Sequence, residues 1–313
     1  TTGAYTVIAG GGITDSGTLT IGNAATFTAG DGEAIILDHV NASSQPVHDF
    51  SGALTFAASS GNLAGLTVYA VDAIALAALT LVAAGGGDLA GNLSLKSGTV
   101  TQSGAWVVPG TTTVFSNGSI TLSEAANNFG GAVSVTGVDV TLVDANAIEL
   151  GASTVDGNYA VTATAGGGIT DLDGAVLNIT GESTFTVAGG QSITLDSTAN
   201  TFTSAVTFVA SAGTLAGVSI ADTTELVLKA LTLTGNLVVV SGGIIKQSGA
   251  LTIGGTSSFT TSTTTGTILC GGNPVGTNCN SPGGTNAFSG TVKLTTTGSS
   301  AHVYIDNGTT ALQ

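Results

Sequence analysis

Short runs of apolar and polar residues alternate with a period of two, as in Thr18-Leu19-Thr20-Ile21, Ser134-Val135-Thr136 and Thr232-Leu233-Thr234. That period turns one set of side chains inward and the other outward from a strand. Gly, Asn, Asp or Ser interrupts the runs every few residues, and these are the residues that supply tight turns. No stretch keeps a 3.6-residue period. The best helix candidate is 72–82, and its counterpart reads Leu226-Val227-Leu228-Lys229-Ala230-Leu231. Lys229 matches Ala77, and a buried helix would have to bury the lysine. Both segments are therefore predicted to be strands, with Ala77 and Lys229 facing out.

Four landmarks recur in the same order. The first is Gly-Asn or Gly-Ala before an apolar strand: Gly3-Ala4-Tyr5, Gly91-Asn92-Leu93, Gly157-Asn158-Tyr159 and Gly235-Asn236-Leu237. The second is an apolar residue, then Thr or Lys, then Asp or Gln: Ile13-Thr14-Asp15, Val100-Thr101-Gln102, Ile169-Thr170-Asp171 and Ile245-Lys246-Gln247. The third is Phe27, Phe115, Phe185 and Phe259; the fourth is Phe50, Phe129, Phe202 and Phe288. The second landmark falls at 13, 100, 169 and 245, so the intervals are 87, 69 and 76 residues. Most of the variation lies in two insertions, between Phe27 and Phe50 and between Phe259 and Phe288. Loops accept insertions where strands do not, so both are predicted surface loops.

A repeat of this length is too long for one coil. At about 20 to 25 residues per coil, each repeat makes three or four coils. Parallel coils stack at about 4.8 Å, which gives a rod roughly 60 Å long. The predicted fold is all-β: a right-handed parallel β-helix, or β-solenoid, of four imperfect repeats. One continuous solenoid is expected over 1–313, with approximate repeats 1–88, 89–154, 155–232 and 233–313. All eight landmark phenylalanines are assigned to ladders inside the core. Handedness follows the rule for parallel crossovers.

Composition agrees with many short strands and tight turns. Gly is 48 of 313 residues, Pro only 4, and charged residues are 7% while 42% are hydrophobic. Disordered chains are poor in apolar residues and rich in charge, so a packed core is expected. The net charge is −15, with four Lys and no Arg. Nucleic-acid binding needs cations to neutralise phosphates, so it is excluded as a function class, and a polybasic membrane attachment with it. The longest apolar run, 73–84, is too short to span a bilayer, which needs about 20 residues.

The segments 9–29, 98–115, 165–188 and 243–260 carry Gly-Gly-Gly-Ile-Thr-Asp-Ser-Gly, Leu-Thr-Ile-Gly and Ser-Thr-Phe-Thr type motifs. With the Gly-Asn-strand signature, they resemble the filamentous-haemagglutinin-like, β-strand-repeat adhesins of bacteria. The resemblance implies a long, exported, right-handed β-helical fibre on a cell surface. The amino-terminal secretion module of that family is absent from these residues.

Candidate chemistry is sparse. Cys270 and Cys279, the only cysteines, bracket a short loop in the fourth-repeat insertion and are expected to form a disulfide in an exported protein. The first-repeat insertion holds Asp38-His39 and His48-Asp49, which could bind a divalent metal. Their spacing matches no established site, and an ordinary polar loop is the favoured reading. Asp171-Leu172-Asp173 and Asp31-Gly32-Glu33 pair carboxylates that could act as acid and base or as calcium ligands, but both lie at turns, where Asp serves the backbone. Gly10-Gly11-Gly12 and Gly166-Gly167-Gly168 lack the lysine of a phosphate loop. Thr260 to Thr265 and Thr295 to Thr297 could form outward arrays of an ice-binding type, though only irregularly. The one Trp, Trp106, makes no sugar platform. No cofactor is expected.

The carboxy end, 304–313, aligns with 142–151, and the amino end, 1–5, with 155–159. The chain therefore reads as four whole repeats without caps, cut in phase. Uncapped solenoid ends invite another chain, so head-to-tail stacking of copies is one expectation, and a window within a longer solenoid is the other. The expected function is a structural or adhesive segment of an extracellular fibre and not an enzyme. Its expected partners are copies of itself, with cell-surface or matrix polysaccharide as a further candidate. The alternative is a carbohydrate-active or ice-binding β-solenoid.

Overall fold

The computed structural model describes residues 3–83, 91–262, 267–269, 286–297 and 303–305. The described residues are all-β, with no helix, and the ladders between their strands are parallel: the chain is a parallel β-solenoid. The two helix candidates are strands, Ile74–Leu76 with Leu79–Thr80 and Leu226–Leu228 with Leu231–Leu233. The chain divides into two compact units, Thr1–Glu149 and Leu150–Gln313.

In the first unit the chain lays strands alternately on two long sheets. Tyr5–Ile8, Ala25–Ala29, Leu54–Ala58 and Ile74–Leu76 lie on one; Ile13–Thr14, Ala34–Leu37, Gly65–Tyr69 and Asn92–Ser97 lie on the other. The strand Asn92–Ser97 carries the same landmark as Tyr5–Ile8, yet it is reached after seven half-turns. A repeat is thus three and a half turns, and the next repeat begins on the opposite sheet. Phe27 consequently pairs within one long sheet and Phe115 within the other. The second unit repeats the device by itself. Tyr159–Ala163, Ser183–Val187, Val206–Ala210 and Leu226–Leu228 alternate with Ile169–Asp171, Ser192–Leu195, Gly217–Asp222 and Leu237–Ser241.

The short third strand of each turn changes corner with the swap. Thr20–Ile21 follows the second-sheet strand Ile13–Thr14, whereas late in the same repeat Leu79–Thr80 follows the first-sheet strand Ile74–Leu76, as Trp106–Val108 follows Val100–Gln102 in the second. At the change the ladder slips by two residues. Leu54 pairs with Leu76 where the turn above pairs Val100 with Ile74, and Val206 pairs with Leu228 where Leu226 pairs with Ile245. A slip of two keeps every side chain on its own face, whereas a slip of one would invert them.

The core is filled from the inward positions. In the first repeat Phe27 stacks on Phe56 at 5.6 Å, meets Phe50 edge-on at 6.4 Å and lies 6.0 Å from Tyr5. The third repeat builds the same set: Phe185 stacks on Phe208 at 5.9 Å and meets Phe202 at 6.2 Å and Tyr159 at 5.9 Å. Phe259 and Phe288 meet at 6.1 Å in the fourth, and Phe129 is buried in the second. Each such side chain contributes about 1.5–3 kcal/mol of burial.

Phe115 departs from the expected ladder: it is 38% exposed, and Val114 beside it fills the core. The segment Ala25–Ala29 puts Phe at its middle position, while Thr112–Ser116 puts Phe one residue later. In a strand one residue exchanges inside for outside. On the outer face the Phe115 ring instead receives the Lys96 ammonium, 5.2 Å from its centroid.

Candidate functional site

A parallel coil must turn sharply at each corner, and the turn leaves backbone N–H groups without ladder partners. Buried groups of this kind must be satisfied somehow. The solenoid does so with polar side chains that reach from one turn to the next. The third residue of the second landmark is one half of each clasp. The other half is a residue two positions before the fourth-landmark Phe.

In the second repeat Gln102 and Asn127 exchange two amide hydrogen bonds, both 2.8 Å, and Asn127 Oδ1 also accepts the Trp106 backbone N–H at 2.8 Å. In the fourth, Gln247 and Asn286 exchange bonds of 2.7 and 3.1 Å, and Asn286 Oδ1 accepts from Leu251 N–H at 2.8 Å. In the third, Asn200 Nδ2 donates to Asp171 Oδ2 at 2.7 Å while its Oδ1 accepts from Leu177 N–H at 2.9 Å. Asn127 and Asn200 are wholly buried.

The first repeat makes the same clasp from different chemistry. His48 stands where the others carry Asn, and it too is wholly buried. Its Nδ1 accepts the Leu19 backbone N–H at 3.0 Å. That bond assigns the proton of the neutral ring to Nε2, which faces Asp15 Oδ2 across 3.5 Å. Neither Nε2 nor Asp15 Oδ2 has a closer partner. Burial lowers the pKa of His48 below its ordinary value, and Asp15 beside it offsets this in part.

A second corner station uses a buried Asp. Asp144 accepts from Phe129 N–H at 2.7 Å and Asn146 N–H at 2.6 Å. Asp222 accepts from Phe202 N–H at 3.0 Å and Thr224 N–H at 2.6 Å. Burial raises the pKa of Asp144, Asp171 and Asp222, and the hydrogen bonds they accept work the other way. The first-repeat counterpart is Ala70: Val71, Ala145 and Thr223 donate in turn to the carbonyls of His48, Asn127 and Asn200, so Ala70 matches Asp144 and Asp222. At the first landmark Asn92, Asn158 and Asn236 accept the N–H of Thr111, Glu182 and Thr256 at 2.8 to 3.0 Å. The first repeat has Ala4 there.

The insertion that ends at His48 is a compact loop. Asn41 Oδ1 accepts from Ser43 and Gln45 N–H, and Ser44 adopts a left-handed φ of 59°. Lys96 Nζ donates to the Ser44 carbonyl at 2.8 Å and holds the tip. The base is held by His48. The His39 ring lies 6.4 Å from that of His48, and Asp38 N–H donates to Asp15. Asp72 has its pKa raised by a hydrogen bond with Asp49, reinforced by burial. Among the described residues no three His, Cys, Asp or Glu side chains gather in a way that could hold a metal ion.

The paired carboxylates of the sequence do not converge. Asp171 is occupied by Asn200 and by the Ser197 and Asp196 N–H groups, while Asp173 is exposed. Asp31 Oδ1 accepts from Asn62 N–H at 3.1 Å, beside Gly61 at a φ of 62°, where a Cβ would strike that oxygen. Trp106 is buried and its Nε1 donates to the Ala77 carbonyl at 3.0 Å. Lys229 and Lys246 pair with Glu182 and Glu225 on the surface. Cys270, Cys279 and residues 263–266 lie outside the described residues. The Asn halves of the clasps were not singled out in the sequence, and His48 was singled out only as a candidate metal ligand. Their common place, two residues before the fourth-landmark Phe, is the signal that would have found them.

A family model described as Repeats of unknown function (DUF5649) matches residues 1–57, 65–136, 137–209 and 215–295. The four matched stretches fit the four imperfect repeats. No curated protein and no solved structure matches the chain.

Proposed function

From the premise that the chain belongs to this family of repeats, we propose that it is a structural segment of an extracellular fibre. The observation that carries the reading is the use made of the polar residues. The side chains best suited to acid–base or ligand chemistry, Asp15, Asp171, Asp144, Asp222 and His48, are spent on backbone groups at the corners. What remains outside is a Thr-, Ser- and Asn-rich surface. A solenoid of this kind presents a repetitive face, which suits spacing, matrix building or adhesion, as in the filamentous-haemagglutinin-like adhesins. Its partners are other copies of the same solenoid, arranged end to end, and polysaccharide of a cell surface or matrix.

Electron cryo-microscopy of the protein at neutral pH, with light scattering over a wide concentration range, tests the proposal. Filaments with a strand repeat of about 4.8 Å along the axis are the expected result. A strictly monomeric species at every concentration would remove self-assembly.

The outward Thr columns favour a second reading. Thr6, Thr26 and Thr55 stand in register, as do Thr101, Thr121 and Thr141, and Thr184 with Thr207. A flat Thr face suits ice or a crystalline polysaccharide. Ala75 and Ala160 interrupt the columns. Thermal hysteresis, or retention on insoluble polysaccharide, would favour this reading over the fibre.

A further inference from the structure

The first repeat is the one whose corner clasp carries an imidazole, a side chain whose ordinary pKa is about 6.5. We propose that His48 is an acid-released latch, holding the base of the 40–46 loop while neutral and letting go of the Leu19 backbone when protonated. The inference stands independently of the fibre reading.

The geometry carries it. Among the described residues, the acceptor offered to Leu19 N–H is His48 Nδ1, at 3.0 Å. Protonation puts a hydrogen on that nitrogen, so two donors would face each other at hydrogen-bond distance, and the bond must break. An Asn amide in the same place does not change at these pH values, which is why Trp106, Leu177 and Leu251 serve as internal controls: Asn127, Asn200 and Asn286 hold their N–H groups.

The groups around His48 decide how the ring responds. Asp15 lies 3.5 Å from Nε2 on the preceding turn, and it favours the imidazolium together with Asp38, while His39 opposes it. Asp49 follows directly in the chain and bonds Asp72. Attraction to Asp15 therefore draws the protonated ring from the Nε2 side while the Nδ1 side loses its partner. The ring pivots away from Leu19 instead of leaving the core entirely. Release at the base leaves the loop tethered through Lys96 and Ser44 and through the backbone pairing of His48 with Ala70.

The sign is fixed by the direction of the shift. A histidine with a depressed folded pKa binds fewer protons folded than unfolded, so its corner is intact above the unfolded value of about 6.5 and weakens as pH falls through the lower folded value.

The test is amide hydrogen exchange of the intact chain, corrected for intrinsic rates, from about pH 7.5 to about pH 5, with His48 followed by NMR. Leu19 protection should fall by roughly tenfold per pH unit below the His48 midpoint, while Trp106, Leu177 and Leu251 stay level. In H48N, which installs the residue used by the other three repeats, Leu19 should stay protected throughout. Constant Leu19 protection in the natural protein overturns the latch. So does a loss of protection that persists in H48N, because the cause would then lie elsewhere in the corner. If H48N fails to fold, D15N gives the second reading: without the carboxylate the His48 midpoint should drop further, and an unmoved midpoint counts against the pairing.

Discussion

The first and third repeats have nearly the same aromatic interior and different corners. Phe27 with Phe56, Phe50 and Tyr5 matches Phe185 with Phe208, Phe202 and Tyr159: the Phe pairs keep the same stacked and edge-on geometry, and only the tyrosine differs, tilted in the first repeat and edge-on in the third. The corners diverge at three stations. Asn158, Asn200 and Asp222 of the third repeat become Ala4, His48 and Ala70 in the first. An aromatic core asks only for volume and shape, and that demand is identical in both. A corner asks for specific donors and acceptors, and the first repeat meets fewer of them. The two parts of the fold therefore vary independently: packing sets the coil, and hydrogen bonding sets how firmly each corner is closed.

The largest effect should come from the shared part. Replacing Phe185 by Ala should cost about 3–5 kcal/mol, and Phe27→Ala should fall in the same range. Urea unfolding followed by near-ultraviolet circular dichroism measures both. A difference between them larger than the corner effects would break the claim that the two interiors are equivalent.

Next come the corners. Asn200→Leu strips a partner from the half-buried Asp171 and leaves Leu177 N–H unsatisfied, a loss of about 2–4 kcal/mol. His48→Leu removes one backbone acceptor and should cost only about 1–2 kcal/mol. Equal losses would show that the imidazole closes its corner as well as the amide does.

Acid should then act on the two repeats with opposite signs. Burial raises the pKa of Asp171 and Asp222, so their folded forms take up protons more readily than the unfolded chain. Their contribution is fullest below the ordinary value of about 3.8 and is lost as pH rises through the folded value. Acidification through those folded values should therefore stabilise the third repeat against global unfolding, whereas the His48 corner weakens as pH falls. Urea unfolding of the natural protein and of D222N across the same pH series measures the carboxylate contribution, and Leu19 exchange measures that of His48.

The smallest effect is expected at Phe115. Phe115→Thr removes an exposed ring and its contact with Lys96, and should change stability by about 0.5 kcal/mol or less. A loss like that of Phe185→Ala would mean that the ring is part of the core after all.

Much of this was legible in the residues. Alternation in the Thr and Val runs identified strands, and Lys229 opposite Ala77 excluded a helix, because a period of two and the cost of burying a charge are local facts. Three or four coils per repeat bracketed the observed three and a half. Phe115 was misplaced because a landmark is found by its neighbours to within a residue, and one residue is the whole difference between inside and outside in a strand. The clasps were only half visible. Asp15, Gln102, Asp171 and Gln247 formed an obvious column in the sequence, whereas their partners lie 25 to 39 residues later in the three Asn-based clasps, across loops of different length.

The sequence by itself determined that this chain stacks strands into a repetitive solenoid, because burial of alternate Val, Ile, Leu and Phe side chains admits few other solutions for such a composition. Only the tertiary structure decided that the first and third repeats end half a turn out of phase, that landmarks exchange sheets, and that His48 takes the buried place that an asparagine fills in the other three clasps. Those outcomes depend on which backbone groups meet when one turn lies on the next, and that meeting is set by the summed lengths of strands and turns between them, not by any local preference.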